Sequence, residues 1–202
     1  MKKLLIATMM LLPMAAMAQD NTWERVNTVE NMANPDQKYL AADAVPMVDG
    51  KVVFHTVINA PGKSAQQVYD ILLDYLTKLA KEPNQFEQSH VALQNIDKHE
   101  IVGTYQEWLV FKDKALVLDR TRFFYQIVAE CSDGKADITM NRLYYLYEEE
   151  RDPQRMAAED VIADSYGLTK NKKKLSRVFG KFRRKTIDRK DFLFNQFSSL
   201  LR

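Results

Sequence analysis

The sequence predicts an α+β fold in which helices cover one face of an antiparallel sheet. Three observations carry this. A β-branched run fills Lys51–Asn59, a capped amphipathic helix follows at about Ser64–Lys81, and four strand-like segments succeed one another between His90 and Glu149 before a long amphipathic final stretch. Sequential strands with short connections make an antiparallel meander, and helices placed before and after it must bury their apolar stripes on one of its faces.

The first residues read as an export signal. Lys2 and Lys3 form a positive n-region, Leu4–Met14 an apolar h-region, and Ala16-Met17-Ala18 a small-residue cleavage site, so cleavage is expected between Ala18 and Gln19. Pro13 interrupts the apolar stretch, which is short for a membrane span. The expected organisation is therefore a signal peptide over 1–18, a polar lead-in segment over 19–50, and one α+β domain over 51–202 whose C-terminal part is helical and basic. The expected location is periplasmic or secreted. The lead-in carries Pro35 and Pro46 and shows at most a weak helical turn around Trp23, Val26 and Glu30.

Within Lys51–Asn59, Val52, Phe54, Thr56 and Ile58 alternate with Val53, His55 and Val57, the pattern of a strand with both faces at least partly covered. Ser64 with Gln67 is a capping-box signal, and Val68, Ile71, Leu72, Tyr75, Leu76 and Leu79 then share a helical face. Tyr75 lies in phase with the leucines and reads as core. Pro83 closes the segment. Four strands are expected at about His90–Asp97, Ile101–Phe111, Ala115–Cys131 and Ala136–Glu148. Asp133-Gly134 is a two-residue hairpin signal that pairs Ser132 with Lys135, Ile127 with Met140, Tyr125 with Arg142 and Phe123 with Tyr144. Asp152-Pro153 reads as the start of a short helix to about Ala163. From about Ser176, the residues Phe179, Phe182, Thr186, Leu193, Phe197 and Leu200 recur at helical spacing, with Gly180 as a weak point.

Charge is segregated along the chain. Tyr166–Arg202 holds twelve lysines and arginines against Asp188 and Asp191, which leaves the preceding part acidic. Such asymmetry fits either an anion-facing tail or a tail that docks on the acidic part of its own chain. The basic surface expected from this segment centres on Lys172, Lys173, Lys174, Arg183 and Arg184. Its phenylalanines fit a buried stripe, and export removes the cytoplasmic polyanions, so nucleic acid is not the expected partner.

Signatures of chemistry are sparse. His55, His90 and His99 form no metal-ligand spacing with Cys, Asp or Glu, and the single cysteine, Cys131, reads as a stray thiol near a turn. Asp160 and Asp164 stand one helical turn apart if the Asp152–Ala163 helix forms, which more commonly marks an acidic face than a catalytic pair. No nucleophile elbow, Walker loop, dinucleotide fingerprint or H-E-x-x-H occurs. No catalytic residue, metal or cofactor is assigned. One constellation stands out. If Asp113-Lys114 forms a tight turn, Glu107 falls opposite Arg120 and Tyr105 opposite Arg122, gathering Tyr105, Glu107, Arg120, Arg122, Tyr145 and Tyr147 on the outward face. Guanidinium groups among tyrosines can hold a planar or anionic ligand or a partner protein, or can brace a salt-bridged sheet surface.

The strings KYL with VP (Lys38–Pro46), GKVVF (Gly50–Phe54), APGKSAQQVYD (Ala60–Asp70), LDRTRFFY (Leu118–Tyr125), YLYEEER (Tyr145–Arg151) and GKFRRKTID (Gly180–Asp188) resemble domain-of-unknown-function family 4468. The similarity runs from about Lys38 to Phe197. It implies a signal-bearing extracytoplasmic bacterial protein with a curved, TBP-like antiparallel sheet backed by helices, and it implies no activity. A fold name does not transfer DNA binding. The favoured functional reading is a non-enzymatic extracytoplasmic binding or interaction module with an envelope or extracellular ligand or protein as partner. An enzyme of unrecognised type and a binder of anionic polymers through the basic tail are the alternatives. The sequence specifies no oligomeric state.

Overall fold

The computed structural model describes residues 36–114 and 117–202. The expected signal peptide, the helical turn around Trp23 and the start of the third predicted strand at Ala115 lie outside the described residues. The chain opens with a short helix α1 (Gln37–Leu40) and a small hairpin of β1 (Met47–Val48) and β2 (Lys51–Val52), and β3 (Phe54–Asn59) follows. Helix α2 (Ala65–Leu79) leads into the meander β4 (His90–Asn95), β5 (Glu100–Lys114), β6 (Val117–Ser132) and β7 (Lys135–Tyr147). Then come β8 (Gln154–Ala157), a 3₁₀ turn (Ala158–Asp160), the short α3 (Asp164–Gly167) and the long α4 (Gly180–Leu201). The main sheet runs β3-β7-β6-β5-β4, all neighbours antiparallel, with β8 also pairing to β7.

Local chemistry sets these elements as expected in most places. Ser64 caps α2, accepting from the Gln67 N–H while the Gln67 side chain accepts from the Ser64 N–H, so two orphan donors are satisfied reciprocally. Val68, Leu72, Leu76 and Leu79 are buried, as the stripe predicts. Gly134 takes the positive φ of 75° that the Asp133-Gly134 turn requires, and Ser132 pairs with Lys135.

The core lies between one face of the sheet and helices α2 and α4. Phe123, Tyr125, Ile127 and Ala129 of β6 point into it beside Ile101, Tyr105 and Leu109 of β5. The lead-in contributes more than its polar sequence suggests, because Tyr39 and Val45 are buried in the same core. Tyr39 donates to Asp188 Oδ1 at 2.8 Å, and its carbonyl accepts from Arg183 Nε at 2.7 Å, which fastens α1 to α4.

Five expectations are corrected. The strand at β3 is covered on one face only: Phe54 and Ile58 are buried, whereas Val57 is exposed. The Asp152–Ala163 helix does not form. Its first half is β8, because β3 covers only the first part of β7 and the remaining edge, Tyr144–Tyr147, takes Gln154–Ala157 as its partner. Asp160 is then exposed on a 3₁₀ turn and Asp164 starts α3, so the two do not form a helical carboxylate pair. Gly180 is no weak point. It is the first residue of α4, and a Cβ there would come 2.7 Å from Leu175 Cβ. At the far end Leu201 is buried while Leu200 is exposed, so the stripe closes one residue later than expected.

Candidate functional site

Register decides which side chains meet. The observed pairing places Tyr105 opposite Tyr125, Glu107 opposite Phe123, Trp108 opposite Arg122 and Val110 opposite Arg120. That differs by three residues from the register expected of an Asp113-Lys114 turn. The hairpin closes beyond it, with Lys114 paired to Val117, and a bulge between Val110 and Lys112 adds one more residue to β5. An odd shift sends a strand's side chains to the opposite face. In β7 a second bulge, at Arg142 with φ 53°, moves the buried set from Ala136, Ile138 and Met140 to Leu143 and Tyr145. Tyr125 therefore does not pair with Arg142, and Phe123 pairs with Tyr145 in place of Tyr144.

The six-residue constellation is consequently split between two faces. Tyr105, Glu107 and Tyr145 are buried beneath the helices. Tyr105 donates to the Leu76 carbonyl at 3.0 Å, and the Tyr145 hydroxyl meets Thr186 Oγ1 at 2.6 Å. Tyr147 points to the same inner side, donating to Asp119 at 3.0 Å and accepting from Lys181 at 2.9 Å. Burial raises the hydroxyl pKa of Tyr105, Tyr125 and Tyr145 above the ordinary range.

Glu107 has become the centre of a buried polar cluster. Its two carboxylate oxygens accept from Arg189 Nε and Nη2, each at 2.7 Å, in a bidentate pair, and Asn84 and Gln85 donate to Oε2 at 2.9 and 2.8 Å. Arg189 also reaches Glu82 at 3.1 Å. Glu107 and Arg189 both have 0% exposed side chains. Burial pushes the Glu107 carboxyl up while Arg189 pulls it down, and Glu107 and Glu82 hold Arg189 firmly protonated. The cluster is enclosed by the core, and its geometry is that of a lock between α4, β5 and the segment after α2.

Only Arg120 and Arg122 of the expected set face outward. Arg120 lies 3.8 Å from the Trp108 ring centroid and bonds Glu150 at 3.0 Å. Arg122 lies 3.9 Å from the Phe86 centroid and makes a bidentate pair with Glu149. Phe86 and Trp108 are 5.0 Å apart, Phe124 stacks on Tyr144 at 4.1 Å, and Arg155 lies 4.4 Å over Tyr144. The outer face is thus a row of rings and guanidinium planes that no helix among the described residues covers. Beside it a depression of about 230 Å³ is bounded by Trp108, Leu118, Arg120, Leu146 and the acidic turn Glu148–Glu150. The register expected of the Asp133-Gly134 turn already puts Phe124 on the outward face, whereas Phe86, Trp108, Tyr144 and Arg155 escaped the sequence reading. Trp108 and Tyr144 alternate correctly with buried neighbours, but both faces of these strands carry apolar residues, and alternation then does not say which is outward.

The basic segment is divided as well. Lys172, Lys173 and Lys174 are exposed, but Arg183 is fully buried, donating to the Ile162 carbonyl and pairing with Asp164 at 2.9 Å. Arg184 pairs with Asp36 at 2.6 Å and Lys181 with Asp119 at 2.7 Å. Much of the positive charge therefore docks on acidic residues of the same chain, the second of the two roles open to it. His55 bonds Asp137, His90 bonds the Gln88 carbonyl, and His99 lies edge-on to Tyr69. Cys131 is buried and its thiol pushed up to about 12.

The sheet order and the one-sided helices define an α+β protein of the TBP-like class. A family model described as "Domain of unknown function (DUF4468) with TBP-like fold" matches residues 54–146. The crystal structure of a DUF4468 family protein from Bacteroides ovatus is 37% identical, with a TM-score of 0.75 over 82% of this chain and 94% of its own. The chain belongs to the DUF4468 family. A TBP-like protein from Parabacteroides distasonis, 22% identical with a TM-score of 0.63 over 78% of this chain and 97% of its own, shares the fold. No curated protein matches the chain. Among the described residues no helix is long and apolar enough to cross a membrane.

Proposed function

We propose that the chain is exported with cleavage at Ala18–Gln19 and acts as a non-enzymatic binding module whose contact surface is the outer sheet face around Trp108. The observation that carries this is the stack of half-buried rings and guanidinium groups on a face that no helix among the described residues covers, next to the depression at Leu118 and Leu146. Ring faces and guanidinium planes bind flat, partly apolar groups. The acids around the depression are each ion-paired, Asp119 with Lys181, Glu148 with Arg151, Glu149 with Arg122 and Glu150 with Arg120, so the ligand that fits is neutral.

Thermal-shift screening of residues 19–202 against envelope sugars, lipids and peptides tests the reading, with fluorescence read in a Trp23→Phe background so that Trp108 is the sole tryptophan. Leu118 is 54% exposed, so Leu118→Ala should leave stability within about 0.5 kcal/mol yet weaken any ligand found. Undiminished binding in that variant counts against the surface. Arg122→Ala removes a stacked, bidentate brace and should cost about 1 kcal/mol in denaturant melts. The export half is tested separately: mass spectrometry of the exported protein should find Gln19 at the N-terminus, and retention of residues 1–18 would overturn it.

A further inference from the structure

The two edges of the main sheet differ. Edge strand β4 shifts register between Val91 and Leu93, the kind of irregularity that blunts an edge against pairing. Edge strand β3 has none. Its six residues pair one for one with β7, and Phe54–Asn59 includes no lysine and no proline.

The outer side of this strand begins as a paired edge and then opens. Val53 N–H donates to the Pro46 carbonyl at 3.2 Å, the last rung of the β1–β2 hairpin, and beyond it no strand pairs with this side of β3 among the described residues. In an antiparallel ladder a residue turns both main-chain groups to one side, and its neighbours turn theirs to the other. Ala60 N–H donates to Gly134 on the β7 side and Val53 N–H to Pro46 on the opposite side. His55, Val57 and Asn59 therefore present N–H and C=O groups to the open side. That side borders a groove of about 530 Å³. Consecutive residues Phe54, His55 and Thr56 all line it, as only an edge permits, and α4 supplies its other wall through Ile187, Lys190 and Phe194.

We propose that this groove takes an extended peptide from a partner protein, which adds as a strand beside β3 and continues the row that β1 begins. The open main-chain groups supply the recognition, and the apolar floor of Phe54, Ile187 and Phe194 receives alternate side chains. Lys190 is paired with Asp191, and Lys38 with Asp188 and Asp191, so the rim adds little net charge. A single strand occupies only about 4.8 Å beside its neighbour. The segment Ala41–Pro46 and helix α4 flank the groove, whereas the β3 strand of a second copy would arrive with its own flanking helix, so a bare peptide is the better fit. This surface is separate from the outer-face depression, and either can fail alone.

The test is amide NMR of residues 19–202 with three blocked hexapeptides that alternate threonine with valine, leucine or phenylalanine. At least one should shift the amides of His55, Val57 and Asn59 and slow their hydrogen exchange. N-methylation of alternate peptide residues should weaken that peptide about tenfold or more, and Val57→Pro, which removes an outward N–H, should do the same. Absence of any response at millimolar peptide, indifference to N-methylation, or shifts confined to Trp108 and its neighbours would overturn the proposal. So would concentration-dependent shifts of the same amides without peptide, which signify self-pairing.

Discussion

Glu107→Ala is expected to destabilise the protein by about 3–5 kcal/mol, because it strands Arg189 in the core without its bidentate partner. Asn84 and Gln85 lose their shared acceptor in the same step, and each buried donor left unmade adds to the cost. The pair itself need not be strongly stabilising relative to apolar packing, since desolvating two charges offsets much of their attraction. The double variant Glu107→Leu with Arg189→Met should therefore recover the part of the loss that comes from the stranded charge, although either single change is severe. Denaturant melts of Glu107→Ala, of the double variant and of its two single changes, read at unchanged m-value, provide the check. A Glu107→Ala loss below about 1 kcal/mol would mean that water reaches Arg189 and that the cluster is no lock.

That cluster also shows where the sequence is legible and where it is not. Elements with one-sided chemistry could be read locally: the Ser64–Gln67 capping box, the Val68–Leu79 stripe and the Asp133-Gly134 turn each depend on residues within a few positions of one another. Register over long strands depends on bulges, which have no comparable local signature. One extra residue near Phe111 and another near Arg142 were enough to invert the faces on which Glu107 and Tyr145 lie. A glutamate amid aromatic and β-branched residues reads naturally as solvent-facing, and its partner Arg189 lies 82 residues away on a helix whose basic character suggested a surface. Arg183 misled for the same reason. Of the expected site only Arg120 and Arg122 remain outward, and the rings they cover come partly from Phe86, in a connection after α2 that carried no strand or helix signal. The β8 segment was missed because Asp152-Pro153 favours a helix start locally, whereas the unpaired end of β7 decides the outcome through a contact no local rule contains.

Leu72→Ala should cost about 2–5 kcal/mol. Leu72 is 0% exposed at the centre of the α2 stripe, with Val68 and Leu76 buried one turn to either side. The helix is tied to the sheet at both ends, by the Ala65 N–H, which donates to Asp133 Oδ1 at 2.8 Å, and by Tyr105, which donates to the Leu76 carbonyl. It therefore cannot easily slide inward to fill the space left by the lost side chain, and the cavity adds to the lost transfer free energy. Thr77→Ala on the same helix is the control, because Thr77 is exposed and its hydroxyl donates only to the Leu73 carbonyl one turn back. It should change stability by no more than about 0.5 kcal/mol. Comparable losses in the two variants would show that general helix propensity, and not burial on the sheet, sets the contribution of α2. A small loss for Leu72→Ala alone would show that the inner face can collapse around the deletion, and the same plasticity would then be expected at the Glu107 lock.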